Sequence, residues 1–208
     1  MNAQTKESQN NITPKTALEM LQKGNERFLA NAPLPRELSK QVAETATGQY
    51  PFAIVLSCID SRVPAEIVFD QGIGDIFSVR IAGNFVNEDI LGSMEYACKF
   101  AGTKLIVVMG HTSCGAVKGA CDSVRTGNLT QLLNKLMPAV NLTKTAPGES
   151  RASSNTGFVN RVATNNVELT IDDIHSKSPV LHEMYMAGKI EMVKALYHVE
   201  SGKVEFLK

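Results

Sequence analysis

The sequence predicts an α/β protein: a parallel-core mixed β-sheet flanked by helices, with an N-terminal helical arm and a C-terminal antiparallel hairpin. The first observation is two continuous apolar runs of strand length, Ala53–Leu56 and Leu105–Met109, typical of parallel strands covered on both faces. The second is the alternation of such strands with helical patterns. The third is the tail, where strand-like runs on both sides of Glu200–Lys203 indicate a hairpin.

The N-terminal part is predicted to become helical after a polar start. Residues 1–12 are polar, and we expect them to be disordered or to form an arm. Thr13 and Pro14 indicate a helix start, because a hydroxyl can cap the helix and proline suits its first position. The proline-containing stretch 33–35 ends that helix, and residues 36–47 are expected to form another short one.

The central part is predicted to alternate strands with helices. The segment Asp89–Ala101 carries apolar side chains on one helical face. Glycines bound the strand predicted over Thr103–Met109. The predicted strands are Phe52–Ser57, Asp75–Ile81 and Thr103–Met109. The predicted helices are Pro64–Phe69, Asp89–Ala101 and Gly115–Arg125.

The C-terminal part is predicted to contain a loop, a helix and the hairpin. The segment Leu142–Asn160 is polar, contains Pro147 and Gly148, and is expected to be a surface connection. A helix is expected over Val162–Lys177, continuing past a proline to Ala187.

Length and charge limit the domain count and the partners. A chain of 208 residues fits one core, and we expect an N-terminal arm and helix over residues 1–35 and a single α/β domain over residues 36–208. Lysine plus arginine equal aspartate plus glutamate, at 21 each. Because nucleic acids and anionic membranes select positive surfaces, we expect neither as the main partner.

The polar start also bears on the compartment. It lacks the apolar core of a signal peptide, and no apolar run in the sequence approaches the roughly 20 residues of a membrane span. We therefore expect a cytoplasmic protein. A periplasmic location stays open as the alternative, if the chain is the trimmed form of an exported protein.

Two short motifs carry metal-binding residue types, and each begins where a predicted parallel strand ends. Ligands of open α/β sheets bind beyond the carboxyl ends of the strands. Thiolate and imidazole suit Zn²⁺, and a set of two cysteines and one histidine leaves a fourth position for water or an aspartate, as catalytic zinc sites do. The motifs are Cys58-Ile59-Asp60-Ser61-Arg62 and His111-Thr112-Ser113-Cys114-Gly115.

Asp60 and Arg62 are the candidate catalytic residues. A carboxylate near an arginine is often a surface ion pair of little value, but this pair falls in a cleft beside the predicted zinc. Bidentate pairing with Arg62 would hold Asp60 off the metal and leave a water there, whose pKa zinc lowers to about 7. Asp60 could accept a hydrogen bond from that oxygen and orient it toward an electrophile.

At these residues the chain resembles the β-carbonic anhydrases, over a segment from about Gln49 to Gly119. Both signatures of that family, Cys-x-Asp-Ser-Arg and His-x-x-Cys-Gly, are unbroken here. The resemblance implies a zinc-dependent lyase, carbonate dehydratase. It also implies that Asp60 and Arg62 are the catalytic pair, with Asp60 as a fourth zinc ligand in a closed state. The zinc ligands that it implies are Cys58, His111 and Cys114.

The resemblance also implies a substrate pocket shared between subunits. Gln49 corresponds to a glutamine that donates a hydrogen bond to substrate in plant-type members, and Phe77, Tyr96 and Gly115 correspond to residues that line a small apolar pocket. In the family the Gln, Phe and Tyr come from the neighbouring subunit, which implies a homodimer or homotetramer. Phe77 and Tyr96 fit ordinary core packing equally well.

The implied reaction is the reversible hydration of carbon dioxide to bicarbonate and a proton by zinc-bound hydroxide. Three alternatives stay open. The same fold and zinc site could hydrolyse carbonyl sulfide or carbon disulfide. A non-catalytic zinc- or bicarbonate-binding regulator would need a broken Asp–Arg pair or a saturated zinc. A redox protein using Cys58 and Cys114 is not supported by any Cys-x-x-Cys motif.

Two positions before the first motif predict whether Asp60 binds the zinc or pairs with Arg62. Some bacterial members hold the aspartate on zinc through a second bicarbonate site, and they carry tryptophan and glycine where this chain has Val55 and Ser57. Valine offers neither an indole N–H nor a broad flat surface to an anion. We therefore expect the open arrangement near neutral pH, with Asp60 paired to Arg62 and water on zinc.

Overall fold

The computed structural model describes residues 2–208 and confirms the predicted fold class: a five-stranded mixed sheet with helices on both faces. The strands are β1 Ala53–Ser57, β2 Ile76–Arg80, β3 Leu105–His111, β4 Glu191–Tyr197 and β5 Val204–Leu207. Their order across the sheet is β2-β1-β3-β4-β5. The first four are parallel, and β5 pairs antiparallel with β4 as the predicted hairpin.

The helices account for most of the remaining chain. A π-helical turn, Tyr96–Phe100, continues the fifth helix toward β3. The helices are α1 Lys6–Asn10, α2 Pro14–Leu29, α3 Leu38–Thr45, α4 Ala65–Val68, α5 Glu88–Glu95, α6 Gly115–Cys121, α7 Gly127–Asn134, α8 Met137–Leu142, α9 Thr156–Lys177 and α10 Pro179–Met186.

The two central strands are buried along their whole length, as continuous apolar runs require. Residues of α2 and α4 pack on one face of the sheet, and residues of α5, α9 and α10 pack on the other. Ser57 at the end of β1 pairs in register with Met109 of β3. The carboxyl ends of β1 and β3 therefore lie side by side, which brings the two motifs together.

The N-terminal segment is more ordered than its polar composition indicates. Residues Lys6–Asn10 form α1, which a capping box between Thr5 and Ser8 begins. The buried Gln9 amide donates to the carbonyls of Pro51 and Ala101 at 2.7 and 2.8 Å. These long-range hydrogen bonds attach α1 to the body of the protein, and local sequence signals do not reveal them. Met1 lies outside the described residues.

The C-terminal helices also differ from the expectation. The long helix begins at Thr156, where the Asn155 side chain caps it, so the last part of the expected connection is helical. Ser178 interrupts the helix before Pro179, and its hydroxyl caps α10. Helices α7 and α8 were not expected from the sequence. Among residues 2–208, no helix has the length and apolar character that a bilayer crossing requires.

Candidate metal centre and active site

The three predicted metal ligands come together at the carboxyl edge of the sheet. Cys58 follows β1 directly, His111 is the last residue of β3, and Cys114 immediately precedes α6. One ligand atom from each of the three lies within 4.8 Å of the other two, and all three residues are buried. The two Sγ atoms are 3.9 Å apart. The structure therefore brings the three residues together in one cluster.

His111 presents a free nitrogen to this cluster. Its Nδ1 lies 2.9 Å from the carbonyl oxygen of Thr112, so Nδ1 carries the hydrogen and donates it. In the neutral imidazole Nε2 is then the atom with the free lone pair, and it is buried and has no hydrogen-bond partner. Leaving a buried polar nitrogen without a hydrogen-bond partner lowers the stability of the fold. Nε2 and the two thiol sulfurs make up a donor set typical of a zinc site. The Nδ1–H bond to the Thr112 carbonyl is the kind of outer-shell hydrogen bond that orients a histidine ligand.

The two thiols are chemically unequal. The pKa of the Cys58 thiol is lowered, chiefly because Cys114 hydrogen-bonds its sulfur and also because the Gly83 N–H donates to it, against the opposing effect of burial. The pKa of Cys114 is raised by the same contact and by burial. The pair thus retains one proton, which a divalent metal would displace because it binds thiolates.

Asp60 and Arg62 form the predicted pair beside the cluster. The Arg62 Nε and a terminal nitrogen donate to the two Asp60 carboxylate oxygens at 2.9 and 2.7 Å, and the Arg62 backbone N–H donates at 3.0 Å. The arginine lowers the pKa of Asp60 well below its ordinary value. Asp60 Oδ2 also lies 3.8 Å from the free His111 Nε2. The carboxylate is therefore ionised, oriented and adjacent to the metal-binding atoms.

Two supporting groups were not predicted from the sequence. Arg80, at the end of β2, donates to the backbone carbonyls of Cys58 and Asp60 at 3.0 and 2.6 Å and so braces the first motif. The backbone N–H of Gly83 donates to the Cys58 sulfur at 3.5 Å. Both contacts are distant in sequence from the first motif.

The predicted substrate-binding residues fall in two places. Gly115 begins α6 beside Cys114 and is therefore at the site. Gln49 is exposed and precedes β1 at its amino end, so the five extended residues of the strand, about 16 Å, separate it from the cluster. Phe77 and Tyr96 pack edge to face at 6.4 Å. They line a groove of about 710 Å³ whose lining contains none of the three ligands.

Comparisons with known proteins agree with this geometry. The family model described as "Carbonic anhydrase" matches residues 53–204. Carbonic anhydrase 2 of Mycobacterium tuberculosis is 36% identical over 199 residues, covering 93% of this chain and 92% of that protein. A carbon disulfide hydrolase of Acidithiobacillus thiooxidans is 33% identical, but over only 44% of this chain and 48% of its own length.

A solved structure extends the match to the fold. The β-carbonic anhydrase CafA of Aspergillus fumigatus superimposes with a TM-score of 0.72 at 25% identity, covering 93% of this chain and 90% of that one. The family match, the fold and the arrangement of the two motifs all agree. The chain therefore belongs to the carbonic anhydrase family, in its β class.

Proposed function

We propose that this chain catalyses the reversible hydration of carbon dioxide, with zinc held by Cys58, His111 and Cys114. The observation that carries the proposal is the buried, unpartnered Nε2 of His111 facing two cysteine sulfurs. No other group of three such donors was found among residues 2–208. Zinc in such a set lowers the pKa of a water that it binds to about 7, which supplies a nucleophile near neutrality.

The Asp60–Arg62 pair can orient the nucleophile. Arg62 engages both carboxylate oxygens and so fixes the plane of the Asp60 carboxylate. The ionised Asp60 can accept a hydrogen bond and thereby orient a water molecule next to the cluster. The pairing also agrees with the open arrangement expected from Val55 and Ser57, because a carboxylate held by arginine competes poorly for a metal.

A second copy of the chain would complete the substrate pocket. Gln49, Phe77 and Tyr96 lie away from the chain's own cluster, while Tyr96 is 54% exposed. Phe100, stacked on Tyr96 at 6.2 Å, is 76% exposed. An aromatic surface of this kind, at the sheet edge formed by β2, suits a contact with another subunit. We propose a homodimer, alone or within a tetramer, in which each subunit supplies these residues to its neighbour.

Metal content and carbon dioxide hydration of purified variants test the zinc assignment. The wild-type protein should contain close to one zinc ion per chain and hydrate carbon dioxide. Cys114→Ala should lose both properties. Cys98→Ala is the matched control, since Cys98 is also a buried cysteine but lies on the π-helical turn away from the motifs. Full zinc content and activity in Cys114→Ala would contradict the proposal.

A further inference from the structure

Helix α9 contacts both ligand-bearing loops through buried or half-buried polar side chains. We propose that Asn166 and Asn160 are positioning residues that hold the ligands at the spacing zinc requires. This inference rests on the proposed zinc site and adds to it the residues that set the site's geometry. Neither asparagine touches the three ligands, and each acts through one backbone group.

Asn166 acts on Cys58 through a glycine turn. The Asn166 side-chain amide donates to the Gly83 carbonyl at 2.8 Å. The Gly83 N–H in turn donates to the Cys58 sulfur at 3.5 Å. Gly83 has φ +81°, a conformation that residues other than glycine rarely adopt, and a Cβ there would lie 2.8 Å from the methyl groups of Leu136. The position of the N–H that faces the sulfur therefore depends on Asn166.

Thr170, one helical turn further along α9, supports the same turn. Its hydroxyl lies 2.7 Å from the Asn166 carbonyl and 3.4 Å from the carbonyl of Asn84. Asn166 and Thr170 are only 3% and 2% exposed. A polar side chain buried to this extent is kept in place by its hydrogen bonds, because water cannot replace them without cost.

Asn160 acts on the other loop, between His111 and Cys114. Its side-chain oxygen accepts a hydrogen bond from the Ser113 N–H at 2.9 Å. Ser113 has φ +55°, a left-handed conformation that is uncommon for residues other than glycine. That conformation turns the chain between the two ligands. Asn160 thus stabilises the backbone geometry that lets His111 and Cys114 face one point.

A single rigid helix therefore positions both sources of ligands. Residues 160 and 166 lie on α9, which packs against β3 in the core, so the two loops cannot shift independently. Outer-shell groups of metal sites usually contribute about 10–100-fold in affinity by orienting the ligands. Without the two asparagines, the sulfurs and the imidazole would sample a wider range of spacings.

Zinc affinity of the intact protein, measured by competition with a chelator, tests this proposal. Asn166→Ala and Asn160→Ala should each weaken zinc binding by about 10–100-fold. Asn165→Ala is the matched control, because Asn165 lies on the same helix and its amide donates to the Thr143 hydroxyl at 2.8 Å, away from both loops. It should bind zinc as the wild type does. Cobalt substitution adds a spectroscopic readout, because distorted ligands shift the visible absorption bands of the metal.

Replacement of asparagine by aspartate separates a positioning role from a simple loss of packing. Asn160→Asp keeps the oxygen that accepts from Ser113, so it should retain the wild-type affinity. Asn166→Asp replaces the donor that faces the Gly83 carbonyl, so it should lose affinity like Asn166→Ala. If the variants at the buried position 166 fail to fold, the comparison of Asn160→Ala with Asn160→Asp at the half-buried position still tests the proposal.

The possible failures are distinguishable. Absence of zinc binding by the wild-type protein would overturn the proposed function itself. If the wild type binds zinc and folded Asn160→Ala and Asn166→Ala bind it equally well, with unchanged cobalt spectra, then α9 is not a positioning element. Equal weakening in Asn165→Ala would also contradict the inference, since it would indicate a general effect on the helix.

Discussion

Two arginine–carboxylate clusters in this molecule use the same chemistry in different surroundings. Asp70 accepts hydrogen bonds from Arg27, Arg36 and the Leu34 N–H, and its side chain is 4% exposed. Asp60 is paired with Arg62; the Asp60 side chain is 16% exposed, and that of Arg62 is 50% exposed. The first cluster joins the N-terminal segment to the residues after α4, whereas the second faces the metal-binding cluster.

The comparison shows that ion-pair geometry alone does not identify a catalytic residue. In both clusters arginine keeps the pKa of the aspartate below its ordinary value; at Asp70 burial opposes this, and the two arginines outweigh it. The difference lies in the neighbour. Asp60 Oδ2 is 3.8 Å from the unpartnered His111 Nε2, while no metal-ligating cluster within residues 2–208 includes Asp70. We therefore infer that Asp60 serves catalysis and Asp70 serves stability.

The largest effect is expected from Asp60→Asn. The amide keeps the shape of the carboxylate but loses the charge and one acceptor that orient the nucleophile. We expect carbon dioxide hydration by the zinc-loaded protein to fall by about 10²–10⁴-fold, and the free energy of unfolding to change by less than about 1 kcal/mol. Stopped-flow hydration and urea unfolding measure the two quantities. Near-normal hydration would remove Asp60 from the mechanism.

Asp70→Asn should show the opposite pattern. Removing one partner of a buried ion pair leaves the other charge uncompensated, which costs about 3–5 kcal/mol. Hydration per zinc-loaded folded molecule should stay close to the wild type. The control is Asp173→Asn, whose ion pair with Lys177 is exposed on both sides, and which should cost less than about 1 kcal/mol. A large loss of activity in folded Asp70→Asn would contradict the assignment to stability.

The same cluster should contribute a smaller, pH-dependent effect. Because the folded-state pKa of Asp70 lies below its unfolded value of about 3.9, its stabilisation is complete above that value and is lost as the pH falls through the folded pKa. The difference in unfolding free energy between the wild type and Asp70→Asn should therefore be constant above about pH 5 and shrink toward acid. Urea unfolding of both proteins at a series of pH values measures this difference. A difference that grows toward acid pH would contradict the prediction.

The smallest effect is expected from a double substitution. Arg62→Ala alone should reduce hydration strongly, because it releases Asp60 to bind the metal. In an Asp60→Asn background the same change should cause little further loss of hydration, since the two residues act as one functional unit. A double-mutant cycle on kcat/KM measures the coupling. Fully additive losses would show that Arg62 acts independently of Asp60.

The sequence was sufficient to predict the sheet and the ligand cluster because both depend on local signals. Continuous apolar runs identified β1 and β3, and residues that directly follow parallel strands meet at one edge of the sheet. The positions of Cys58 and Cys114 then followed from short motifs. The start of α9 was placed late because its cap, Asn155, lies in a polar stretch that also resembles a loop.

The support of the site could not be predicted in the same way. Asn166 and Gly83 are 83 residues apart in sequence, and Asn160 and Ser113 are 47 apart. Asparagine on a helix is usually exposed, so neither residue carries a local signal of its role. The Gln9 contacts that hold α1 are equally long-range. These features depend on which elements pack together, which the tertiary structure alone determines.

Stopped-flow hydration of carbon dioxide by the zinc-loaded protein, with carbon disulfide hydrolysis measured in parallel, tests the proposed function most directly. We predict rapid hydration that disappears when a chelator removes the metal and returns when zinc is restored, and slower or absent hydrolysis of carbon disulfide. Hydration no faster than that of buffer containing the same zinc concentration would contradict it. Faster turnover of carbon disulfide than of carbon dioxide would instead assign the site to the sulfur analogue.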